Sequence, residues 1–167
     1  MKEPIALKIL KNAILLEKRG KEFYRKVAQE AKNRSTREFF KFMADEEDQH
    51  ILLLSDQFKQ YTQNKTFKPT CSRGRSEDRI ASLVFTGEII RKINAASFEA
   101  AAVSAAMSME ERAIRLYTQR GKNAKDRQEK AMYRWLAEWE SKHLEMLSKI
   151  DRELTEAIWN DNSFWPF

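Results

Sequence analysis

Hydrophobic and polar residues alternate along most of this chain with the period of an amphipathic α-helix. Apolar or small residues recur at steps of three and four through four segments, which places them on one face of each segment. The pattern predicts helices over residues 5–31, 35–61, 97–120 and 126–158. Because the connection between the first two helices is very short, we expect them to pack as antiparallel neighbours.

Residues that start or stop helices support these boundaries. Ser35 and Glu38 have the spacing of a capping box at the start of the second helix. Ser97 is expected to cap the third helix, and Gly121 is expected to end it. Asp126 begins a similar capping sequence ahead of the fourth helix. The boundaries therefore predict two helical hairpins.

The second hairpin repeats the first. A shift of 93 residues aligns the two without a gap from residue 17 to residue 55. Identical pairs include Glu17 and Glu110, Arg19 and Arg112, Tyr24 and Tyr117, Ala44 and Ala137, Glu47 and Glu140, His50 and His143, and Leu54 and Leu147. Such a match predicts an internal duplication of a helical hairpin.

A polar segment separates the two hairpins. We expect hairpin one over 5–61, a crossover over 62–96 that runs the length of the bundle, and hairpin two over 97–158. A short helix is predicted within the crossover at residues 88–92. The whole chain, 1–167, is thus interpreted as one all-α domain, a four-helix bundle.

Composition narrows the possible functions. The chain has 4 Gly, 3 Pro and 34% charged residues, which favours long helices over sheets. A single cysteine, Cys71, allows neither an internal disulfide nor a four-cysteine metal site, so we expect a cytoplasmic protein. No apolar run approaches the roughly 20 residues of a membrane helix. The net charge of +6 is spread along the helices, which argues against nucleic-acid binding.

Six ionisable residues lie on the apolar stripes of the predicted helices. They are Glu17, Glu47, His50, Glu110, Glu140 and His143. Each histidine follows a glutamate by three residues, so both side chains share one helix face. Burying four carboxylates would cost several kcal/mol for each and bring like charges together. Two divalent cations would neutralise them, and carboxylate with imidazole suits iron or manganese, with zinc also acceptable.

Several neighbours of these residues have two interpretations. Tyr24 and Tyr117 each lie seven residues after a candidate glutamate, where the hydroxyl could hydrogen-bond a ligand on a facing helix or simply fill the core. Asp45 and Glu46 are interpreted as surface charges, because Trp139 takes the place of Glu46 in the second hairpin. The residues interpreted as core are Phe39, Phe42, Trp135 and Leu136.

One glutamate on the first helix of each hairpin, with Glu-x-x-His on the second, resembles the ferritin-like di-iron carboxylate proteins. Within that group, the runs from Leu16 to Tyr24 and from Phe39 to His50 are similar to rubrerythrins, and the resemblance covers about residues 5–155. The resemblance implies that Glu47 and Glu140 bridge two metals, with Glu17 and His50 completing one and Glu110 and His143 the other.

The chain departs from rubrerythrins at two points. It lacks the paired Cys-x-x-Cys motifs of a rubredoxin domain, so a separate electron-donor protein is expected. Met107 stands where rubrerythrins carry an additional glutamate, which moves the ligand set toward that of bacterioferritin.

The resemblance implies a redox enzyme that reduces hydrogen peroxide or dioxygen at a di-iron centre. The alternative is a ferroxidase or iron-storage protein of the bacterioferritin type, and hydroxylation of an organic substrate is a third possibility. We expect a homodimer or small homo-oligomer. The aromatic tail, 160–167, is expected to fold back on the bundle or a dimer mate, or to dock into a partner.

Overall fold

The computed structural model describes residues 3–32, 34–70 and 98–160. The predicted helix at 88–92, Cys71, the Ser97 cap and the tail beyond Asn160 lie outside the described residues. Within the described ranges the regular structure is entirely helical.

Four long helices make up the described fold. They are α1 (Ile5–Glu30), α2 (Arg34–Asn64), α3 (Phe98–Asn123) and α4 (Arg127–Trp159). Helix α1 packs along α2, α3 packs along α4, and a smaller contact joins α1 to α3. The two predicted hairpins and the all-α four-helix bundle are thereby confirmed.

The inward stripes predicted from the sequence are buried. Their apolar members form two clusters. One cluster contains Tyr24, Phe40 and Leu147 among others. The other contains Leu10 and Leu136 among others. Along every helix, the candidate glutamates and histidines come between the residues of one cluster and those of the other. The candidate site therefore lies at one level of the bundle, with apolar layers above and below it.

The ends of α2 differ from the prediction. The helix begins at Arg34, so Ser35 lies in its first turn, and the carboxylate of Glu38 accepts from Arg34 Nε at 2.7 Å. At the other end, α2 continues to Asn64. Lys65 then adopts a left-handed φ of 57° and donates its N–H to the carbonyl oxygen of Tyr61.

The prediction that Gly121 ends the third helix is wrong, because α3 continues to Asn123. Gly121 is buried where α3 meets α4, and a Cβ at this position would lie 3.3 Å from Arg134 Cγ. The glycine thus serves close packing between helices rather than a turn. The predicted start of α4 is confirmed, since the side chain of Asp126 accepts from the N–H groups of Gln128 and Glu129.

Glu46 is buried, which contradicts its interpretation as a surface charge, whereas Asp45 is exposed. Helix α2 has a wide buried face in this region, because Phe42, Met43 and Ala44 are buried as well. Apolar residues that recur three and four positions apart identify the centre of a buried helix face, but they do not show how wide that face is. Across the described helices, no segment has both the length and the apolar character that crossing a bilayer requires.

Candidate metal centre

All six predicted ligands lie together in the middle of the bundle. Glu17 comes from α1, Glu47 and His50 from α2, Glu110 from α3, and Glu140 and His143 from α4. Each is at most 3% exposed. The stripes of all four helices therefore deliver polar side chains to one enclosed volume.

The six side chains form two overlapping groups of possible ligands. Glu17, Glu47, His50 and Glu140 make one group, and Glu47, Glu110, Glu140 and His143 make the other. Within each group, the candidate ligand atoms lie within 4.8 Å of one another. Only Glu47 and Glu140 belong to both groups. The arrangement can hold two cations side by side, with two carboxylates shared between them.

Glu140 faces both imidazoles. Its Oε1 lies 2.9 Å from His50 Nδ1, and its Oε2 lies 3.1 Å from His143 Nδ1. His50 Nδ1 also lies 3.4 Å from Glu47 Oε2 and 3.5 Å from Glu17 Oε2. The imidazole rings are 5.8 Å apart between centroids. Both histidines thus direct the same ring nitrogen, Nδ1, at the carboxylates.

Two tyrosines connect the hairpins at this level. The hydroxyl of Tyr24 on α1 donates to Glu110 Oε1, and the hydroxyl of Tyr117 on α3 donates to Glu17 Oε1. Burial raises the pKa of Tyr24 well above its ordinary value, so its hydroxyl stays protonated and acts as the donor. The hydrogen bond to a facing helix, considered from the sequence, is therefore present on both sides of the centre.

Without a metal, the carboxylates must share protons. Burial, and after it the neighbouring carboxylates, raise the pKa values of Glu47 and Glu110 well above the ordinary range, and burial also raises that of Glu140. Burial alone would raise the pKa of Glu17, but the neighbouring Glu47, His50 and His143 together outweigh it and lower that pKa.

The two histidines differ in their electrostatic surroundings. Burial would lower the pKa of His50, but the facing carboxylates of Glu140, Glu17 and Glu47 together outweigh burial and raise it. For His143, burial prevails and the pKa is lowered. The buried Glu46 acts on His143 in the opposite direction, toward a higher pKa, which the sequence-based assignment to the surface missed.

The donor atoms fit a pair of cations. Among the described residues, no lysine or arginine forms an ion pair with any of the four glutamates. Glu47 Oε2, Glu140 Oε1 and His50 Nδ1 are buried, yet none makes a hydrogen bond of acceptable geometry. Buried polar atoms without partners are costly, and coordination to a metal would satisfy them. The carboxylate and imidazole donors suit first-row transition metals.

A comparison with known protein families agrees with this geometry. A family model described as Rubrerythrin matches residues 8–151, which is most of the chain. The chain belongs to the rubrerythrin family. Searches of curated proteins and of solved structures gave no match. Rubrerythrin membership and the buried carboxylate and imidazole cluster together fit a di-iron protein.

Two features beside the rubrerythrin centre were not anticipated from the sequence. A narrow cavity reaches Glu17, Glu47 and Glu110, and it passes Gly20, where a Cβ would lie 3.5 Å from Glu47 Cδ.

The second feature is a pair of tryptophans. Trp135 and Trp139 on α4 both pack edge-on against His50. The 93-residue repeat contained a signal for the tryptophans, because their counterparts in the first hairpin are Phe42 and Glu46.

Proposed function

We propose that this rubrerythrin-family protein is a di-iron oxidoreductase that reduces hydrogen peroxide with electrons from a separate donor protein. The observation that carries the proposal is the pair of buried four-ligand groups that share Glu47 and Glu140. When bound, two iron ions would supply the two electrons that convert one peroxide into two waters. Iron is favoured over zinc because this chemistry needs a redox-active metal, which zinc is not.

In this proposal, Glu47 and Glu140 would be shared by the two metals, Glu17 and His50 would hold one of them, and Glu110 and His143 would hold the other. The tyrosines orient the terminal carboxylates. The contacts of Glu17 support these separate roles for the tyrosine and the carboxylate, because Glu17 Oε1 accepts from Tyr117 while Glu17 Oε2 faces His50. One oxygen is thus fixed by the protein and the other is directed at the centre.

The cavity favours a very small oxidant. The volume of this cavity is about 10 Å³, which is roughly the space that one water molecule needs. Its walls include Leu16, Met109 and Ala113, and it ends at Glu17, Glu47 and Glu110. Hydrogen peroxide and dioxygen approach this size, whereas an organic substrate for hydroxylation would require a larger opening.

A ferroxidase remains the second candidate, because Met107 leaves only six ligands and gives the centre the symmetric set of bacterioferritin. A storage role also requires a closed shell of many subunits. We instead propose a homodimer or small homo-oligomer. These 167 residues contain only one cysteine, so they hold no rubredoxin-type site of their own.

Anaerobic stopped-flow mixing tests the proposal. Protein loaded with two ferrous ions per chain is mixed with hydrogen peroxide or with dioxygen, and ferric absorbance is followed. The proposal expects much faster oxidation by peroxide, followed by re-reduction and further turnover when a donor is present. Oxidation by dioxygen at an equal or greater rate, together with uptake of many irons by a large assembly, would favour the ferroxidase and contradict peroxide reduction.

The control in this experiment is the variant Glu22→Ala. Glu22 lies on α1 close in sequence to Glu17, but its side chain is 68% exposed and pairs with Arg25. Its replacement should leave both oxidation rates unchanged.

A further inference from the structure

Two tryptophans form a continuous aromatic contact with one side of the candidate centre. The ring centroids of Trp135 and Trp139 are 4.9 Å apart. The centroid of His50 lies 5.8 Å from that of Trp139 and 6.1 Å from that of Trp135. Both indoles are only partly buried, so this contact runs from the centre toward the outside of the bundle.

The bundle itself does not require these indoles. In the duplicated hairpin, Phe42 occupies the position of Trp135 and Glu46 that of Trp139. Helix α2 packs in the same kind of hairpin with those smaller or charged side chains. Among the described ring contacts, His50 is the only one of the two histidines that touches an indole. The tryptophans are thus a feature added to one side of a symmetric site.

We propose that Trp139 and Trp135 form a one-electron path that protects the centre when peroxide arrives at a site holding a single ferrous ion. The inference rests on the proposed function. Reduction of peroxide to two waters takes two electrons and two protons, but one ferrous ion supplies only one electron. Trp139 supplies the second electron through its contact with His50, and Trp135 then reduces Trp139.

The surroundings of the two indoles set the direction of this path. Trp139 Nε1 is buried and has no hydrogen-bond partner among the described residues, so an oxidised Trp139 has no acceptor for its proton. Trp135 is partly exposed, so water can take its Nε1 proton. Loss of that proton leaves a neutral radical on Trp135. The balance is one peroxide, one ferrous ion, one indole and one solvent proton giving two waters, one ferric ion and one indolyl radical.

The radical on Trp135 has two outcomes. The electron-donor protein returns one electron, and the indole takes back a proton from water. Without a donor, dioxygen adds to a ring carbon of the radical. One C–O bond forms, the O–O double bond becomes a single bond, and the product is an indole peroxyl radical. The path thus moves oxidative damage from the buried ligands to a side chain near the surface.

Rapid-freeze electron paramagnetic resonance tests the path. Full-length protein with one ferrous ion per chain is mixed anaerobically with hydrogen peroxide, and ferric absorbance is recorded on the same samples. The variants are Trp135→Phe, Trp139→Phe and the double variant, since phenylalanine keeps an apolar ring that is much harder to oxidise. The control is Trp159→Phe, which removes an indole that is 67% exposed near the end of the same helix. Circular dichroism and iron stoichiometry confirm that each variant is folded and loaded.

We expect an indolyl radical in the unmodified protein and in Trp159→Phe, and its loss to background in the double variant at unchanged iron oxidation. Exposure to air after mixing should oxygenate Trp135 rather than Trp139, as located by peptide mass spectrometry. Iron oxidation without an indolyl radical, or an undiminished radical in the double variant, would overturn the path and leave the proposed function standing. Absence of iron oxidation by peroxide in these one-ion samples would overturn the path, whereas its absence in the two-ion samples of the proposed-function test would overturn both.

Discussion

Tyr117 in the second hairpin donates its hydroxyl hydrogen to Glu17 in the first, and Tyr24 in the first donates to Glu110 in the second. Each tyrosine thus fixes a carboxylate that belongs to the other half of the duplication. The two hairpins are joined through the candidate metal centre as well as through apolar packing. Folding of the bundle and formation of the centre are therefore expected to depend on each other.

Replacing Tyr117 by phenylalanine should lower both the stability of the fold and the affinity of the centre for metal. It leaves Glu17 Oε1 buried without its donor, which costs about 1–3 kcal/mol in the metal-free protein. Metal affinity should fall by about 10- to 100-fold, as it does when a supporting hydrogen bond to a ligand is removed. Chemical denaturation and competitive metal titration measure the two effects.

Tyr133→Phe is the matched control for that substitution. Tyr133 stacks on Tyr117 with ring centroids 5.8 Å apart, but its buried hydroxyl has no hydrogen-bond partner among the described residues. Its removal should leave metal affinity unchanged and cost little stability. Equal losses in Tyr117→Phe and Tyr133→Phe would show that the hydroxyl bonded to Glu17 has no special role.

Stabilisation by metal should increase with pH. In the folded metal-free protein, burial raises the pKa values of Glu47, Glu110 and Glu140 above the ordinary 4.5. The folded protein is the state in which these groups hold protons most tightly. It therefore keeps protons that the unfolded chain releases above that pH, and these groups stabilise the fold less as pH rises. Metal binding displaces the same protons, so affinity rises with pH. Melting temperatures with and without manganese should differ more at pH 8 than at pH 5.

A double variant, Glu47→Ala with Glu140→Ala, checks the source of that dependence. It removes both shared carboxylates, so the difference between the melting curves should be small at every pH. A metal-induced shift that shrinks as pH rises in the unmodified protein would contradict the raised pKa values.

The Gly20→Ala substitution should hinder entry of the oxidant to the centre without affecting metal binding. The new Cβ would lie 3.5 Å from Glu47 Cδ, an ordinary contact, but it would enter the narrow cavity beside the centre. Alanine in a helix interior also stabilises by roughly 0.5–1 kcal/mol relative to glycine. We expect a stable variant that binds two metals and is oxidised more slowly by peroxide.

Gly121→Ala is the control for Gly20→Ala, because it makes the same change at a helix contact away from the centre. Its Cβ meets the flexible stem of Arg134 at 3.3 Å, which can move aside. Oxidation by peroxide should keep its normal rate. A Gly20→Ala variant that is oxidised as fast as Gly121→Ala would show that the oxidant uses another route.

Removing a ligand from one side should leave the other side intact. Glu17 belongs to only one of the two groups, and Glu47, Glu110, Glu140 and His143 remain in its absence. Glu17→Ala is therefore expected to bind one iron per chain, as measured by metal analysis after anaerobic loading and desalting. Binding of two irons, as in Glu22→Ala, would remove Glu17 from the ligand set.

The sequence predicted which residues form the site, and where along the helices they lie, better than it predicted the side chains that pack around them. The 93-residue repeat aligned Glu17 with Glu110 and His50 with His143, and the helical stripes placed them inside. These features follow from periodicity and require no knowledge of side-chain contacts. The burial of Glu46 was missed because the width of a buried helix face depends on the neighbouring helices.

The contacts around the site could not be derived from the stripes. Trp135 was interpreted as a core residue, whereas its ring is partly exposed and lies against His50. Whether an indole at the edge of a stripe turns toward a ligand depends on its rotamer and on the relative rotation of α2 and α4. The prediction that Gly121 ends a helix is wrong because glycine favours both turns and close packing, and sequence alone does not distinguish the two.

Anaerobic titration with ferrous ion tests the central claim most directly. The unmodified protein should bind iron with a break at two ions per chain, because Glu47 and Glu140 are shared by two groups of ligands. The variant lacking both shared glutamates should bind none tightly while remaining helical. Failure of the unmodified protein to bind iron, or equal binding by that variant, would contradict a two-metal centre in the core of this bundle.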